Sequence, residues 1–149
     1  MKNYKLINNI VGWAAFLVAT IVYILTIEPT ASFWDCGEFI STAFKLEVGH
    51  PPGAPLFMII ARLFSLFTTD VTQVAKMINI ISALASSFTV LFLFWSITHL
   101  AKKMLIKAEE ISTGQLFAIM GSGLVGALAF TFSDSFWFSA VEGEVYAMS

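Results

Sequence analysis

The sequence predicts an all-α membrane protein with about three transmembrane helices and two short interfacial or re-entrant helices in the first outer loop. Three observations predict it. The 149 residues are 58% hydrophobic and only 12% charged, against roughly 25% charged in an ordinary soluble domain. Uncharged runs long enough to cross a bilayer recur along the chain. The chemistry-bearing residues gather in a short polar island, Phe33-Trp34-Asp35-Cys36-Gly37-Glu38-Phe39, closed by Gly49-His50-Pro51-Pro52-Gly53. Charged groups beside long hydrophobic spans are costly to place, so such an island is a functional hypothesis by default.

The elements follow in order. Ile10 to Ile27 carries no charge until Glu28. About 18 residues give roughly 27 Å of helix, enough for a first span (10–27). The run is too long for the apolar core of a signal peptide, and no A-x-A site follows it, so an uncleaved anchor is expected. Pro29 ends the helix. Gly37 to Glu47 reads as a short helix lying in the interface, with Phe39, Ala43 and Leu46 on its apolar face. Gly49–Gly53 then forms a turn that no regular helix can run through. Ala54 to Phe67 is apolar but only about 14 residues long, with Arg62 inside, which suits a re-entrant or interfacial helix. Asp70 and Gln73 make a capping-box pattern ahead of a second span (77–100). Ser112 and Gln115 repeat that pattern ahead of a third (115–132). There Ala118, Ser122 and Gly126 offer a small-xxx-small packing face. Trp137 and Tyr146 are expected to be interface anchors. The sequence stops without a polar tail and is expected to continue in a longer protein.

Charge sets the expected topology. If residues 54–67 crossed the membrane, Lys102, Lys103 and Lys107 would lie opposite Lys2 and Lys5, against the positive-inside rule. If they only dip or lie flat, those lysines are all cytoplasmic and the N-terminus with them. The outer loop (28–70) then shares one face with Asp134, Glu142 and Glu144. The net charge of −2 excludes nothing but gives no sign of nucleic acid as a partner, and a single cysteine, Cys36, rules out an intrachain disulfide.

Each chemical candidate carries a structural alternative. Asp35 and Glu38 are three apart and would share a helix face, where they could divide acid and base roles or hold a metal; Asp-x-x-Glu is equally a capping box with Asp35 as N-cap. His50 could bind phosphate, ligate a metal or move a proton, or simply be solvated. Arg62 could clamp a phosphate or snorkel toward headgroups. Glu142 and Glu144, two apart, share a face only in an extended segment. Cys36 is read as a small buried hydrophobe.

Trp34-Asp35-Cys36-Gly37-Glu38-Phe39, Gly49-His50-Pro51-Pro52-Gly53-Ala54-Pro55-Leu56 and Glu144-Val145-Tyr146-Ala147 together resemble the start of membrane glycosyltransferases of the GT-C fold. Protein O-mannosyltransferases and lipid-A aminoarabinose transferases are examples. The strongest resemblance is to a bacterial membrane family catalogued as a domain of unknown function and related to an animal transmembrane O-mannosyltransferase. It covers only the N-terminal part of such an enzyme.

The resemblance implies a sugar donor on a polyprenyl phosphate, an acceptor hydroxyl on protein or glycan at the outer face, inverting transfer and a bacterial inner-membrane location. Asp35 would be general base or metal ligand, with Glu38 assisting. His50 and Arg62 would meet the donor phosphate. Glu142 or Glu144 would stand for the acidic position after the third span, and a divalent metal would draw on Asp35 and Glu144. The sequence departs from the adjacent Asp-Glu of the mannosyltransferases, since Cys36 and Gly37 separate its acids. Two other readings are a non-catalytic membrane scaffold or subunit, and part of a transporter or flippase bundle. The absence of ionisable residues in mid-span counts against the last.

Overall fold

The structure, a computed structural model, describes residues 3–50, 53–105, 111–143 and 145. Among them there is no strand. The helices are α1 (Tyr4–Leu25), α2 (Cys36–Lys45), α3 (Pro55–Ser65), α4 (Val74–Leu105), α5 (Thr113–Thr131) and α6 (Asp134–Val141). A 3-10 turn, Val71–Gln73, leads into α4. Three helical stretches, α1, α4 with its leading turn, and α5, are long and apolar enough to cross a membrane. They correspond to the three expected spans, and α2 and α3 are the two expected short helices.

The helix ends differ from expectation for a physical reason. An uncharged run marks the part of a helix that hydrocarbon tolerates, whereas backbone hydrogen bonding continues through polar residues. Thus α1 already begins at Tyr4, and α4 passes through Lys102 and Lys103, cations suited to a helix C-terminus. The Ser112–Gln115 capping box is present in both directions. Asp70 caps as expected, but through the Thr72 backbone and hydroxyl, without a reciprocal bond from Gln73. The helix α6 was not foreseen, because eight residues are too few for a period to show.

Residues Met1–Ala19 and Ser87–Ser133 form one compact unit, and Thr20–Ser86 with Asp134–Ser149 a second. The first is packed by close approach. A Cβ on Gly12 would stand 2.6 Å from Trp95 Nε1, and one on Gly123 2.6 Å from Thr98 Cγ2 and 2.8 Å from the Phe94 ring. Trp13 meets Phe16, Phe88 and Trp95 edge-on. Lys102 Nζ stands 4.5 Å over the Tyr4 ring. The stripe of small residues buried on α5 is Gly123 and Ala127, not the expected one: Ala118 and Ser122 are exposed, and only Gly126 makes the anticipated close contact, with Ile97. Two small-residue stripes lie side by side on this helix, and composition alone does not say which meets a neighbour.

The second unit has a core of Cys36, Phe39, Ile40 and Ala43 from α2, Phe57, Met58 and Ala61 from α3, and Val74, Ile78 and Ile81 from the start of α4. Leu46 was expected on the buried face of α2 but is 61% exposed. The helix ends before it, and Leu46 takes a left-handed conformation (φ 55°) that lets the Leu46 and Glu47 N–H groups cap the carbonyls of Ala43 and Thr42. Tyr23 is fully buried, edge-on to Phe136 and Trp137. Trp137, expected as an interface anchor, is half-buried and donates its indole N–H to Thr26 Oγ1 at 3.1 Å.

Candidate functional site

The second unit assembles the polar island. The first turn of α2 carries Glu38, and the loop after α2 returns His50 to it. The backbone N–H of His50 donates to Glu38 Oε1 at 2.7 Å, and its ring Nδ1 lies 2.9 Å from Glu38 Oε2. A carboxylate has no proton to give, so Nδ1 carries the hydrogen and the outward Nε2 is left for other work. That atom faces Asp35 Oδ2 at 4.0 Å. The three side chains are exposed or half-buried, and one ligand atom from each lies within 4.8 Å of the others.

Local sequence explains the return of the loop. Gly49 sits where a Cβ would come 3.0 Å from Glu38 Oε1, so any side chain there would press on the carboxylate and glycine lets the backbone approach freely. Gly53 has φ 72°, and its N–H donates to the His50 carbonyl at 2.9 Å, closing the turn. Pro51 and Pro52 lie outside the described residues.

The clasp shifts both titrations. Two hydrogen bonds from His50 hold Glu38 below its ordinary value of 4.5. The Glu38 carboxylate, and less strongly Asp35, push His50 above its ordinary 6.5.

Asp35 stands at the N-cap position of α2 but its side chain makes no cap hydrogen bond. The capping-box reading of Asp-x-x-Glu is therefore not what the structure shows. Glu38 is turned to His50, and the Asp35 carboxylate is exposed beside the imidazole.

The other predicted residues are placed as follows. Arg62 donates from Nη1 to the Phe44 carbonyl at 2.7 Å and to Ser65 Oγ at 3.3 Å, and its guanidinium lies 5.3 Å over the Phe44 ring. It ties α3 to the C-terminal end of α2, so it supports the site from beneath and has not joined the Asp35–Glu38–His50 group. Glu142 accepts from Ser32 Oγ at 2.7 Å, three residues before Asp35, so the acid after the third span does return to the island. Glu144 lies outside the described residues. Two groups went unnoticed in the sequence. Asn79, fully buried on α4, donates to the carbonyls of Glu28 and Thr30 at 2.7 and 3.1 Å and pins the loop that leads to the island. Ser32 gives Glu142 its partner. An asparagine within an apolar span was the available signal for the first.

Two cavities lie in this unit. One of about 350 Å³ lies under the 46–55 loop and α3, lined mainly by apolar groups such as Leu46, Val48, Pro55, Met58 and Ile59. The other, about 270 Å³, lies between residues 32–34 and the end of α6.

A family profile described as the protein O-mannosyl-transferase TMEM260 N-terminal domain matches residues 35–149, beginning at Asp35 itself. The Dictyostelium discoideum "Protein O-mannosyl-transferase tmem260" is 30% identical over 140 residues, covering 90% of this chain and 14% of that protein. The Mus musculus "Protein O-mannosyl-transferase TMEM260" is 29% identical over 140 residues, covering 91% of this chain and 17% of its own length. The chain thus spans less than a fifth of the length of these relatives. No solved structure matches.

Proposed function

The chain belongs to the TMEM260 N-terminal family of protein O-mannosyl-transferases, and on that premise we propose that it forms the N-terminal part of a GT-C-type membrane glycosyltransferase. In this reading it takes part in moving a sugar, mannose by the relatives' names, from a polyprenyl-phosphate donor to a hydroxyl of a protein acceptor. The observation that carries the proposal is the Glu38–His50 clasp with an uncapped Asp35 beside it.

Each residue then has a defined task. Asp35 removes the proton of the acceptor hydroxyl as its oxygen attacks the anomeric carbon. The bond from that carbon to the phosphate oxygen breaks, its electron pair leaves with the phosphate, and configuration inverts. His50, held at Nδ1 by Glu38 and favoured in its charged form, donates from Nε2 to the departing phosphate, where a charge-assisted hydrogen bond is strongest. Glu38 therefore positions the imidazole and does not touch the acceptor. Arg62 keeps α2 and α3 in register beneath it, and the apolar cavity under α3 offers room for the first part of a prenyl chain.

A divalent cation fits the donor set in one way. With Nδ1 engaged by Glu38, a neutral His50 would offer Nε2 to the ion in place of the proton it otherwise donates, and the Asp35 carboxylate would be the second ligand. Such an ion would supply positive charge for the leaving phosphate. The lysine distribution supports placing the N-terminus in the cytoplasm and the island on the outer face. The bacterial inner membrane rests on the sequence resemblance alone.

The test is Asp35→Asn in the full-length protein, with transfer from polyprenyl-phosphate mannose to a serine- or threonine-containing acceptor measured in membranes. Removing a general base lowers the rate about 10²–10⁴-fold. Transfer at the wild-type rate would remove Asp35 from that role.

A further inference from the structure

The cavity of about 270 Å³ beside residues 32–34 has a lining unlike the apolar one under α3. It is formed by Ser32, Phe33 and Trp34 on the loop side and by Phe138, Ser139 and Glu142 on the other. We propose that this cavity is a pyranose-binding subsite, in which the Trp34 indole stacks on the ring face of the sugar and Glu142 accepts from its hydroxyls. The proposal rests on the transferase reading only for the choice of a mannoside as probe.

Three observations carry it. The first is the placement of Trp34, a residue 93% exposed although its backbone sits at φ 60°, a left-handed conformation that L side chains rarely adopt. Burial does not compensate this conformation. Its consequence is to raise a flat aromatic surface one residue before Asp35. The second is the pinning of the walls. Ser32 Oγ donates to Glu142 Oε1 at 2.7 Å, and the Glu28 N–H donates to the Val141 carbonyl at 3.1 Å. Asn79 meanwhile holds the carbonyls of Glu28 and Thr30. The polar wall and the backbone on either side of the cavity are thus held before any ligand arrives, which lowers the cost of binding.

The third is the chemistry of the lining. Aromatic faces sit beside a carboxylate and two hydroxyls. Among the described residues, Oε1 is the only atom of the Glu142 carboxylate that accepts a hydrogen bond, leaving Oε2 as an acceptor. A pyranose matches this pattern because one face presents apolar C–H groups and its rim presents hydroxyl donors. An acyl chain would bury the carboxylate against hydrocarbon, which is costly. A phosphate would meet a like charge. The volume lies just below the roughly 300–1,000 Å³ usual for ligand pockets, so it suits one sugar ring and not a chain of them.

Saturation-transfer NMR of the full-length protein in detergent, with methyl α-D-mannopyranoside as probe and glycerol as the polyol control, tests the subsite without turnover. Wild type is expected to transfer saturation to the mannoside ring protons and not to glycerol. Glu142→Gln should bind about tenfold more weakly, the worth of one charge-assisted hydrogen bond. Trp34→Gly is the decisive variant, since glycine relieves the positive φ and keeps the fold at least as stable in thermal unfolding while removing the ring. Its mannoside signal should fall about tenfold or more, and Trp34→Phe should restore most of it. Wild-type protein without a mannoside signal, or Trp34→Gly with an unchanged one, would overturn the subsite. Mannoside binding that needs Trp34 in a protein inactive in transfer would instead leave the subsite standing and remove the transferase reading. Loss of transfer in Asp35→Asn with mannoside binding untouched by Trp34→Gly would do the reverse.

Discussion

The unit containing residues 3–19 and 87–133 and the unit containing residues 20–86 and 134–143 both pack apolar side chains, and differ in how far polar bonds join their distant segments. In the first, glycines let neighbouring side chains close in: Gly12 against Trp95 and Phe94, Gly123 against Thr98 and Phe94, Gly126 against Ile97. In the second, polar bonds join segments far apart in sequence, namely Asn79 to the 28–30 loop, Ser32 to Glu142, His50 to Glu38 and Arg62 to Phe44. Hydrocarbon offers no hydrophobic drive between helices, so spans pack by shape and small residues. A site that handles charged or hydroxylated ligands needs carboxylates and imidazoles held in place, and hydrogen bonds do this. The contrast separates substitutions that should loosen the scaffold from those that should silence the site.

The largest expected loss comes from the polar unit. Asn79→Ala leaves the Glu28 and Thr30 carbonyls without their donor and opens space in a buried position. Thermal unfolding in detergent should show a loss of about 3 kcal/mol. Next comes the shape-packed unit. Gly123→Ala forces a Cβ against Thr98 and the Phe94 ring and should cost about 1–3 kcal/mol. In the same helix Gly121 has nothing within 4 Å of the added atom, so Gly121→Ala should stabilise by about 0.5–1 kcal/mol. Equal effects at the two glycines would break the claim that close approach holds this unit.

A smaller pair of effects compares two helix starts. Ser112→Ala removes the half of the capping box in which the Gln115 N–H donates to Ser112 Oγ and should lose about 1 kcal/mol. Asp35→Ala, at a position with no side-chain cap bond, should stay within about 0.5 kcal/mol of wild type while transfer is lost. A stability loss at Asp35 matching that at Ser112 would make Asp35 a cap and weaken its assignment as a base.

The three spans were legible because length and absence of charge are properties of the sequence itself. So was the Ser112–Gln115 capping box, which is purely local. The gathering of Asp35, Glu38 and His50 could be anticipated from a polar island closed by a glycine-rich turn. The clasp could not, because the same Asp-x-x-Glu spacing fits a capping box, and only the return of His50 decides where the Glu38 side chain points. Asn79 was hidden by the apolar run around it, and α6 by its brevity. The choice between the Ala118–Ser122 and Gly123–Ala127 stripes on α5 depended on which face meets a neighbour, a tertiary fact that one helix does not carry.

The clasp has a pH signature with a definite sign. His50 is raised above 6.5, so the stability it contributes is complete below 6.5 and is lost as pH climbs through its higher folded value. Glu38 is lowered below 4.5, so its contribution is complete above 4.5 and is lost as pH falls through its lower folded value. The difference in unfolding temperature between wild type and Glu38→Gln should therefore be greatest between pH 4.5 and 6.5. The most direct measurement is the titration of the His50 imidazole by nitrogen-detected NMR, with His99 assigned by its own substitution. A neutral form protonated at Nδ1 and a pKa above 6.5 are expected in wild type, the pKa returning toward 6.5 in Glu38→Gln. A wild-type His50 titrating at or below 6.5, or one indifferent to Glu38→Gln, would contradict that expectation.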